Sequence, residues 1–245
     1  MKERDQLKIL LMQIRDDQRV IAEEHDSFAR HSGLQPNQIT RLNVLETPDF
    51  PVSVIDGFDA LYIGGSSDVN VLNREQLPFI DNAVALIHHC LEIDLPVFAS
   101  CFGHQLVVTA LGGEVISDTE KYEMGTIPIR LTAKAQSDLL YHDVPDGFLA
   151  VSVHQERAVE APPGCDLLAY TDLCIHSLKV IGKPVWTAQF HPEVDRAGMV
   201  ARVTRYAKKY TSGADQLRAV AANAQETPES NRLLQRFVDR VLLAN

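Results

Sequence analysis

Short, nearly unbroken apolar runs recur through the first half of the chain, separated by amphipathic stretches. Residues 7–14 read LKILLMQI, 39–45 ITRLNVL, 58–63 FDALYI and 97–100 VFAS. Strands this apolar need cover on both faces. Between them, residues 17–32 are polar with Val20, Ile21 and Phe28 on one side. Residues 73–93 repeat Phe79, Ile80, Ala83, Val84, Ile87 and Leu91 at helical spacing, with Pro78 tolerable only near the first turn. A further helix over 102–111 stops at Gly112-Gly113. Thr47-Pro48 ends the second strand and Gly64-Gly65 the third. Strand and helix in alternation predict βαβ units, hence an open, mainly parallel, flavodoxin-like sheet with helices on both faces.

The second half has a different grain. Short strands are expected over 114–132, 148–160, 167–171, 174–181 and 185–191, with Gly and Pro turns between them. Helices return over 195–211 and 228–243. No repeat, low-complexity tract or linker composition interrupts the chain, so residues 1–245 are expected to form a single domain. In it, a β-rich insertion packs on the parallel core. The helical C-terminus, from about 214 onward, is longer than such a core needs. Val238, Val241 and Leu242 there either seal the sheet or make an intermolecular contact, and sealing is the expectation.

Composition narrows the function. The chain is 45% hydrophobic and 23% charged, ordinary for a soluble globular protein. Its formal charge is -10, and its longest cationic stretch is Lys208-Lys209. A surface that tracks phosphates needs a positive patch, so nucleic acid is not an expected partner. No segment approaches the roughly 20 apolar residues that span a bilayer. The N-terminal apolar run lacks a small-residue cleavage site and reads as a strand. The four cysteines, Cys90, Cys101, Cys165 and Cys174, show no CxxC spacing. Neither a disulfide scaffold nor a zinc site is expected, and reduced thiols fit a cytoplasmic setting.

Cys101 stands between the strand VFAS and a helix, with Gly103 two residues on. A tight strand-to-helix turn lifts a side chain into the crevice at the strand's C-terminal end, where ligands of open α/β sheets bind. The helix N-terminus adds free N–H groups and positive potential, which favour a thiolate and can hold an oxyanion. A small buried hydrophobe explains the residue equally well. Residues 189–194, QFHPEV, tip the balance. His191 follows an apolar strand, Pro192 turns the chain out of the sheet, and Glu193 lies within reach of the imidazole. Cysteine, histidine and carboxylate are the parts of a nucleophilic relay.

CFGHQL with LGGEV, and QFHPEV later, closely resemble the class I glutamine amidotransferases, most strongly the amidotransferase domain of GMP synthases and its stand-alone relatives. The likeness runs from the third strand to Glu193. The family pattern Gly-x-Cys-x-Gly-x-Gln reads here Ala99-Ser100-Cys101-Phe102-Gly103-His104-Gln105, with Ala99 replacing the first glycine. The resemblance implies that Cys101 is the nucleophile, His191 the general base and later acid, and Glu193 the residue that orients it. It implies Gln105 as a substrate contact and the backbone N–H groups of Gly65, in LYIGGSSDVN, and Phe102 as an oxyanion hole. Ser152, Val153 and His154 match the loop near the α-carboxylate and α-amine of glutamine, where backbone groups usually bind. The implied reaction cleaves the γ-amide of glutamine through a glutamyl thioester, with no metal or organic cofactor. The ammonia acceptor would then be a separate synthase chain. Two alternatives stay open: a γ-glutamyl peptidase using the same chemistry, and a silent binding or regulatory protein.

Other candidates carry less. His88-His89-Cys90 are adjacent on a helix and point to different faces. His25 and His31 sit on a polar helix. Cys165 and Cys174 have no partner at ligand spacing, and Tyr122 and Glu123 fall in the β-rich part with no assigned role. Trp186 is expected in the core.

Overall fold

In the first half of the computed structural model, which describes residues 2–205 and 214–244, strands β1 (Ile9–Ile14), β2 (Ile39–Asn43), β3 (Ala60–Ser66) and β4 (Val97–Ser100) lie parallel. Every side chain of β1 is buried, as its nearly unbroken apolar run requires. Alternation then divides it: Leu10, Met12 and Ile14 enter the core on one face of the sheet, Ile9 and Leu11 the core on the other. β3 does the same, with Leu61 and Ile63 on the first face and Ala60 and Tyr62 on the second.

Helices cover both faces. On the first, α2 (Phe79–Glu92) and α3 (Phe102–Ala110) supply Phe79, Ile80, Ala83, Phe102 and Leu106. On the second, α1 (Gln18–Ser32) supplies Phe28 and Ala29. Asp17 caps α1 by accepting the Arg19 amide at 2.8 Å. α2 is shorter than the expected 73–93. It starts directly after Pro78, and Arg74–Gln76 form a separate 3-10 turn.

The second half extends the same sheet. Strands β6 (Glu123–Leu131), β7 (Phe148–His154), β9 (Cys165–Tyr170), β10 (Ile175–Val180) and β11 (Val185–Ala188) complete an order β2-β1-β3-β4-β11-β10-β9-β6-β7. β11 is parallel to β4, and every pair beyond it is antiparallel. β5 (Val115–Ser117) and β8 (Glu156–Ala158) form a small ribbon apart from it. The expected β-rich insertion is thus an antiparallel wing continuous with the parallel core. α4 (Arg196–Arg205) follows β11, and the end of the helix expected over 195–211, with Lys208-Lys209, lies outside the described residues.

Helices α5 (Ala214–Asn223) and α6 (Pro228–Phe237) follow, the latter continuing into a π turn over Val238–Leu242. Leu233, Leu234, Phe237, Val238 and Val241 are buried in the core of the second face. The C-terminal helix therefore seals the sheet, as the apolar stripe predicts. Trp186 packs edge-on against Phe237 with ring centroids 6.0 Å apart.

Two features position the site. Chain order reverses between β1 and β3, with β2 on one side and β4 on the other, which makes a switch point at their C-terminal ends. α3 also lies unusually close to the sheet. A β-carbon added at Gly103 would sit 2.7 Å from the Ile63 carbonyl oxygen and 2.9 Å from Ile63 Cβ on β3. Gly103→Ala is therefore expected to destabilise the fold by about 1–3 kcal/mol, read as a lower urea midpoint at unchanged slope. An unchanged midpoint would mean that α3 moves away from β3 at no cost.

Candidate active site

Strand register brings three separate segments to one level. Ile63 pairs with Ala99, and Ser100 pairs with Ala188. The Cys101 amide donates to the Ala188 carbonyl at 2.7 Å, which ties the end of β4 to the end of β11. The residues that leave these strands, Gly64-Gly65, Cys101 and Gln189 to His191, therefore meet at one edge of the sheet. Ala99 is fully buried between β3 and β11, so its methyl group is part of the core.

Cys101 has φ 51° and ψ −105°, a region that residues with a side chain rarely occupy. The sharp turn starts α3 at Phe102, whose N–H belongs to the unpaired first turn of the helix. Cys101 faces His191 closely enough for its charge to act on the imidazole. On the other edge of the ring, His191 Nδ1 lies 2.6 Å from Glu193 Oε1. All three residues are buried. Their backbone is fixed from two sides. The His191 amide donates to the Val151 carbonyl at 2.8 Å, and Asn231 Nδ2 on α6 donates to the carbonyls of Pro192 and Val194 at 2.8 and 3.0 Å. Asn231 is thus a positioning residue, and sequence reasoning did not find it.

The adjacent glycines are there for space. A β-carbon at Gly65 would come within 2.8 Å of His191 Cε1, 3.2 Å of Arg15 Nη2 and 3.4 Å of Cys101 Cβ. One at Gly64 would lie 2.8 Å from Glu24 Oε1. Arg15 and Glu24 are the second unforeseen feature. They form a buried ion pair, with Arg15 Nη2 2.7 Å and Nε 3.1 Å from Glu24 Oε1, while Arg15 Nη1 donates to Ser67 Oγ at 2.6 Å. Burial opposes the Arg15 charge, but Glu24 outweighs it and keeps the guanidinium firmly protonated beside Cys101 and Glu193. Arg202 on α4 stands 3.7 Å from Glu193 Oε1. The one signal in the sequence was a charged residue placed directly after the apolar strand β1.

Burial disfavours the His191 imidazolium, but the charges of Cys101 and Glu193, with the hydrogen bond to Glu193, overcome it and hold His191 up at about 9. Burial likewise opposes the Glu193 carboxylate, and His191 holds it down at about 2. Burial pushes the Cys90 thiol up to about 12 and the Cys165 thiol up to about 11.

Cys101 opens on a cavity of 140 Å³ whose walls include Asn70, Phe102, Gln105, Val153 and His154. That is about ten times the ~10–15 Å³ one water requires, so the cavity admits an organic side chain. Gln105 is half committed: its Nε2 donates to the Glu156 carbonyl at 2.8 Å, bracing α3 against β8. Of the three loop residues singled out in the sequence, Val153 and His154 line the cavity. Ser152 does not: it is fully buried, and its Oγ has no partner among the described residues. A second cavity, on the far side of His191, is walled by Arg15, Ser67, Met199 and Arg202.

The sequence model of the family described as glutamine amidotransferase class-I matches residues 55–203. Among curated proteins, the glutamine-hydrolyzing GMP synthase subunit of Methanococcus maripaludis is 34% identical over 149 residues, covering 60% of this chain and 76% of the relative. The corresponding GMP synthase subunit of Methanocaldococcus jannaschii is 34% identical over 119 residues, covering 48% of this chain and 61% of the relative. Among solved structures, a glutamine amidotransferase of Thermotoga maritima superposes with a TM-score of 0.78 at 16% identity, covering 97% of this chain and 98% of that one. A glutamine amido transferase of Methylobacillus flagellatus gives 0.69 at 17% identity, covering 96% and 93%. These two structural matches speak to the fold. Among the described residues, no helix is long and apolar enough to cross a membrane.

The His191–Glu193 pair makes stability depend on pH. His191 is raised from 6.5, so its contribution is complete below pH 6.5 and lost as pH rises through about 9. Glu193 is lowered from 4.5, so its contribution is present above pH 4.5 and lost as pH falls through about 2. Glu193→Gln should therefore reduce thermal stability most between pH 4.5 and 6.5, where both are complete. It should also bring the His191 titration, followed by NMR, well below about 9. An unmoved His191 titration in the variant would show that Glu193 does not hold the imidazole.

Proposed function

Because the chain belongs to the class I glutamine amidotransferase family, we propose that it hydrolyses the γ-amide of glutamine with Cys101, His191 and Glu193 as its triad. One observation carries this reading. The cysteine at a strained strand-to-helix turn shares the space beside Gly65 with a buried histidine, which a buried carboxylate backs at 2.6 Å. No common structural need calls for that combination.

In the mechanism, the proton of Cys101 resides on His191, and the thiolate attacks the γ-carbonyl carbon of glutamine. The C=O electron pair moves onto oxygen, where the amide hydrogens of Gly65 and Phe102 receive it. Helix α3 adds the positive potential of its N-terminus. The intermediate collapses: the C–N bond breaks, and the nitrogen takes the proton from His191 and leaves as ammonia. A glutamyl thioester on Cys101 remains. Neutral His191 then draws a proton from water, whose oxygen attacks the thioester carbonyl. The second collapse breaks the C–S bond, releases glutamate and returns the proton-sharing Cys101–His191 pair. Glu193 carries no proton at any step; it fixes the ring and stabilises the imidazolium. Arg15 holds a fixed positive charge beside Cys101 and Glu193.

The ammonia is proposed to pass to a separate synthase chain. Relatives named as one subunit of a glutamine-hydrolyzing GMP synthase support that partner.

Cys101→Ala should lower ammonia release from glutamine more than about 1,000-fold while leaving the fold intact by circular dichroism. A Cys101→Ala enzyme of wild-type activity would overturn the assignment. Wild type that cleaves a γ-glutamyl dipeptide yet leaves glutamine intact would replace it with a peptidase.

The pH profile offers an independent check. His191 must hold a proton to release ammonia, so kcat/KM should fall as pH rises through about 9. Activity that keeps climbing well past that value would exclude His191 as the acid.

A further inference from the structure

Away from Cys101, four side chains that the sequence scatters over more than fifty positions converge inside the antiparallel wing. Glu123 opens β6 and pairs across the ladder with His154 at the end of β7. Cys174 and His176 enter from the start of β10, two residues apart and so on one face. All four are buried, and their ligand atoms lie within 4.8 Å of one another. Strand pairing thus brings Cys174, which has no partner at ligand spacing along the sequence, beside Glu123 and two histidines.

The hydrogen-bond pattern at this cluster does not close with a neutral imidazole facing an ionised carboxylate. His154 Nδ1 lies 3.0 Å from the Glu156 carbonyl oxygen, which only accepts, so Nδ1 carries the hydrogen. A neutral ring then presents a lone pair at Nε2. That Nε2 faces Glu123 Oε2 at 2.9 Å and Cys174 Sγ at 4.0 Å. Two lone pairs at that distance require a cation between them, either an added proton or a metal ion. The same carboxylate oxygen is also 2.7 Å from His176 Nε2 and 3.7 Å from Cys174 Sγ, so the other three ligand atoms gather around Glu123 Oε2.

We propose that Glu123, His154, Cys174 and His176 form a structural zinc site. One thiolate, two imidazoles and one carboxylate are a zinc donor set, and four protein ligands make the closed shell of a structural site. Tetrahedral bonds of about 2.0–2.3 Å hold ligand atoms roughly 3.3–3.8 Å apart. The contacts here begin at 2.7 Å between His176 and Glu123, and all four ligand atoms lie within 4.8 Å of one another. The ion enters when the two imidazoles swing away from Glu123 by less than about an ångström. Cys174 gives up its thiol proton on binding. The supports that orient metal ligands are present as well: the Glu156 carbonyl sets the His154 tautomer, and the Thr171 hydroxyl donates to the other oxygen of Glu123 at 2.7 Å.

The site has a mechanical consequence. His154 walls the Cys101 cavity, and Gln105 hangs on the Glu156 carbonyl two residues further on. Zinc would thus pin the loop between β7 and β8 to β10.

The test is zinc retention by the full chain. Purified protein is incubated with zinc chloride, desalted and analysed by mass spectrometry. Wild type and Cys101→Ala, which removes the other histidine-linked thiol, should each keep about one zinc per chain, and Cys174→Ala and His176→Ala less than about a tenth of that. Cobalt should give a thiolate charge-transfer band in wild type that Cys174→Ala lacks. Zinc should raise the Tm of wild type and a chelator lower it, a readout that does not depend on the variants folding. Wild type that retains no zinc would overturn the site and leave a proton as the cation at the cluster. Equal retention by wild type and Cys174→Ala would overturn it too.

Discussion

The hydrogen bond from the Cys101 amide to the Ala188 carbonyl, 2.7 Å long, is the constraint from which the site follows. It fixes the end of β4 against the end of β11. Two chain segments nearly ninety residues apart then have to leave the sheet side by side, one with a cysteine and the other with a histidine. Cys101 takes its strained φ of 51° because the chain must hold this bond and start α3 immediately after it. The rest of the sheet keeps the turn from relaxing, since β3, β4 and β11 are buried on both faces by two separate cores.

The second requirement is electrostatic. A buried carboxylate, a buried imidazole and a thiol are costly to gather unless each charge has a partner. His191 and Glu193 answer one another, and Arg15 answers Glu24 a short distance away. Together they make a low-dielectric region in which positive groups slightly surround the sulfur and its histidine partner. The Gly64-Gly65 pair is a condition of this arrangement. One glycine leaves room for the Glu24 carboxylate and the other for the His191 ring, so two charged clusters approach the same strand end.

Much of this is legible in the sequence because it rests on local pattern. Doubly buried strands must be nearly all apolar, and β1, β3 and β4 announce themselves that way. Cys101 and His191 are visible because each stands at a strand end beside a turn residue. What the sequence hides depends on contacts between distant segments. Asn231 reaches the turn after His191 from a helix near the C-terminus. Glu123, Cys174 and His176 meet only through antiparallel pairing, and no spacing rule marks residues joined by a ladder. The start of α2 departs from expectation for a local reason: periodicity runs through Pro78, but the proline ends the preceding turn and begins the helix.

The antiparallel wing explains why the parallel core does not suffice. The core supplies Cys101 and His191, but it leaves the crevice open on one side. Val151, whose carbonyl holds the His191 amide, and Val153, which lines the cavity, both come from β7. β7 is held in place by β6, and β6 in turn by β9, so the walls of the cavity are set several strands from the cysteine. A wing joined by ladder hydrogen bonds alone can slide or fray at its outer strands. The buried cluster of Glu123, His154, Cys174 and His176 ties β6, β7 and β10 across the strand that separates them. His154 belongs both to this cluster and to the wall of the Cys101 cavity, so what orders the cluster also orders that wall.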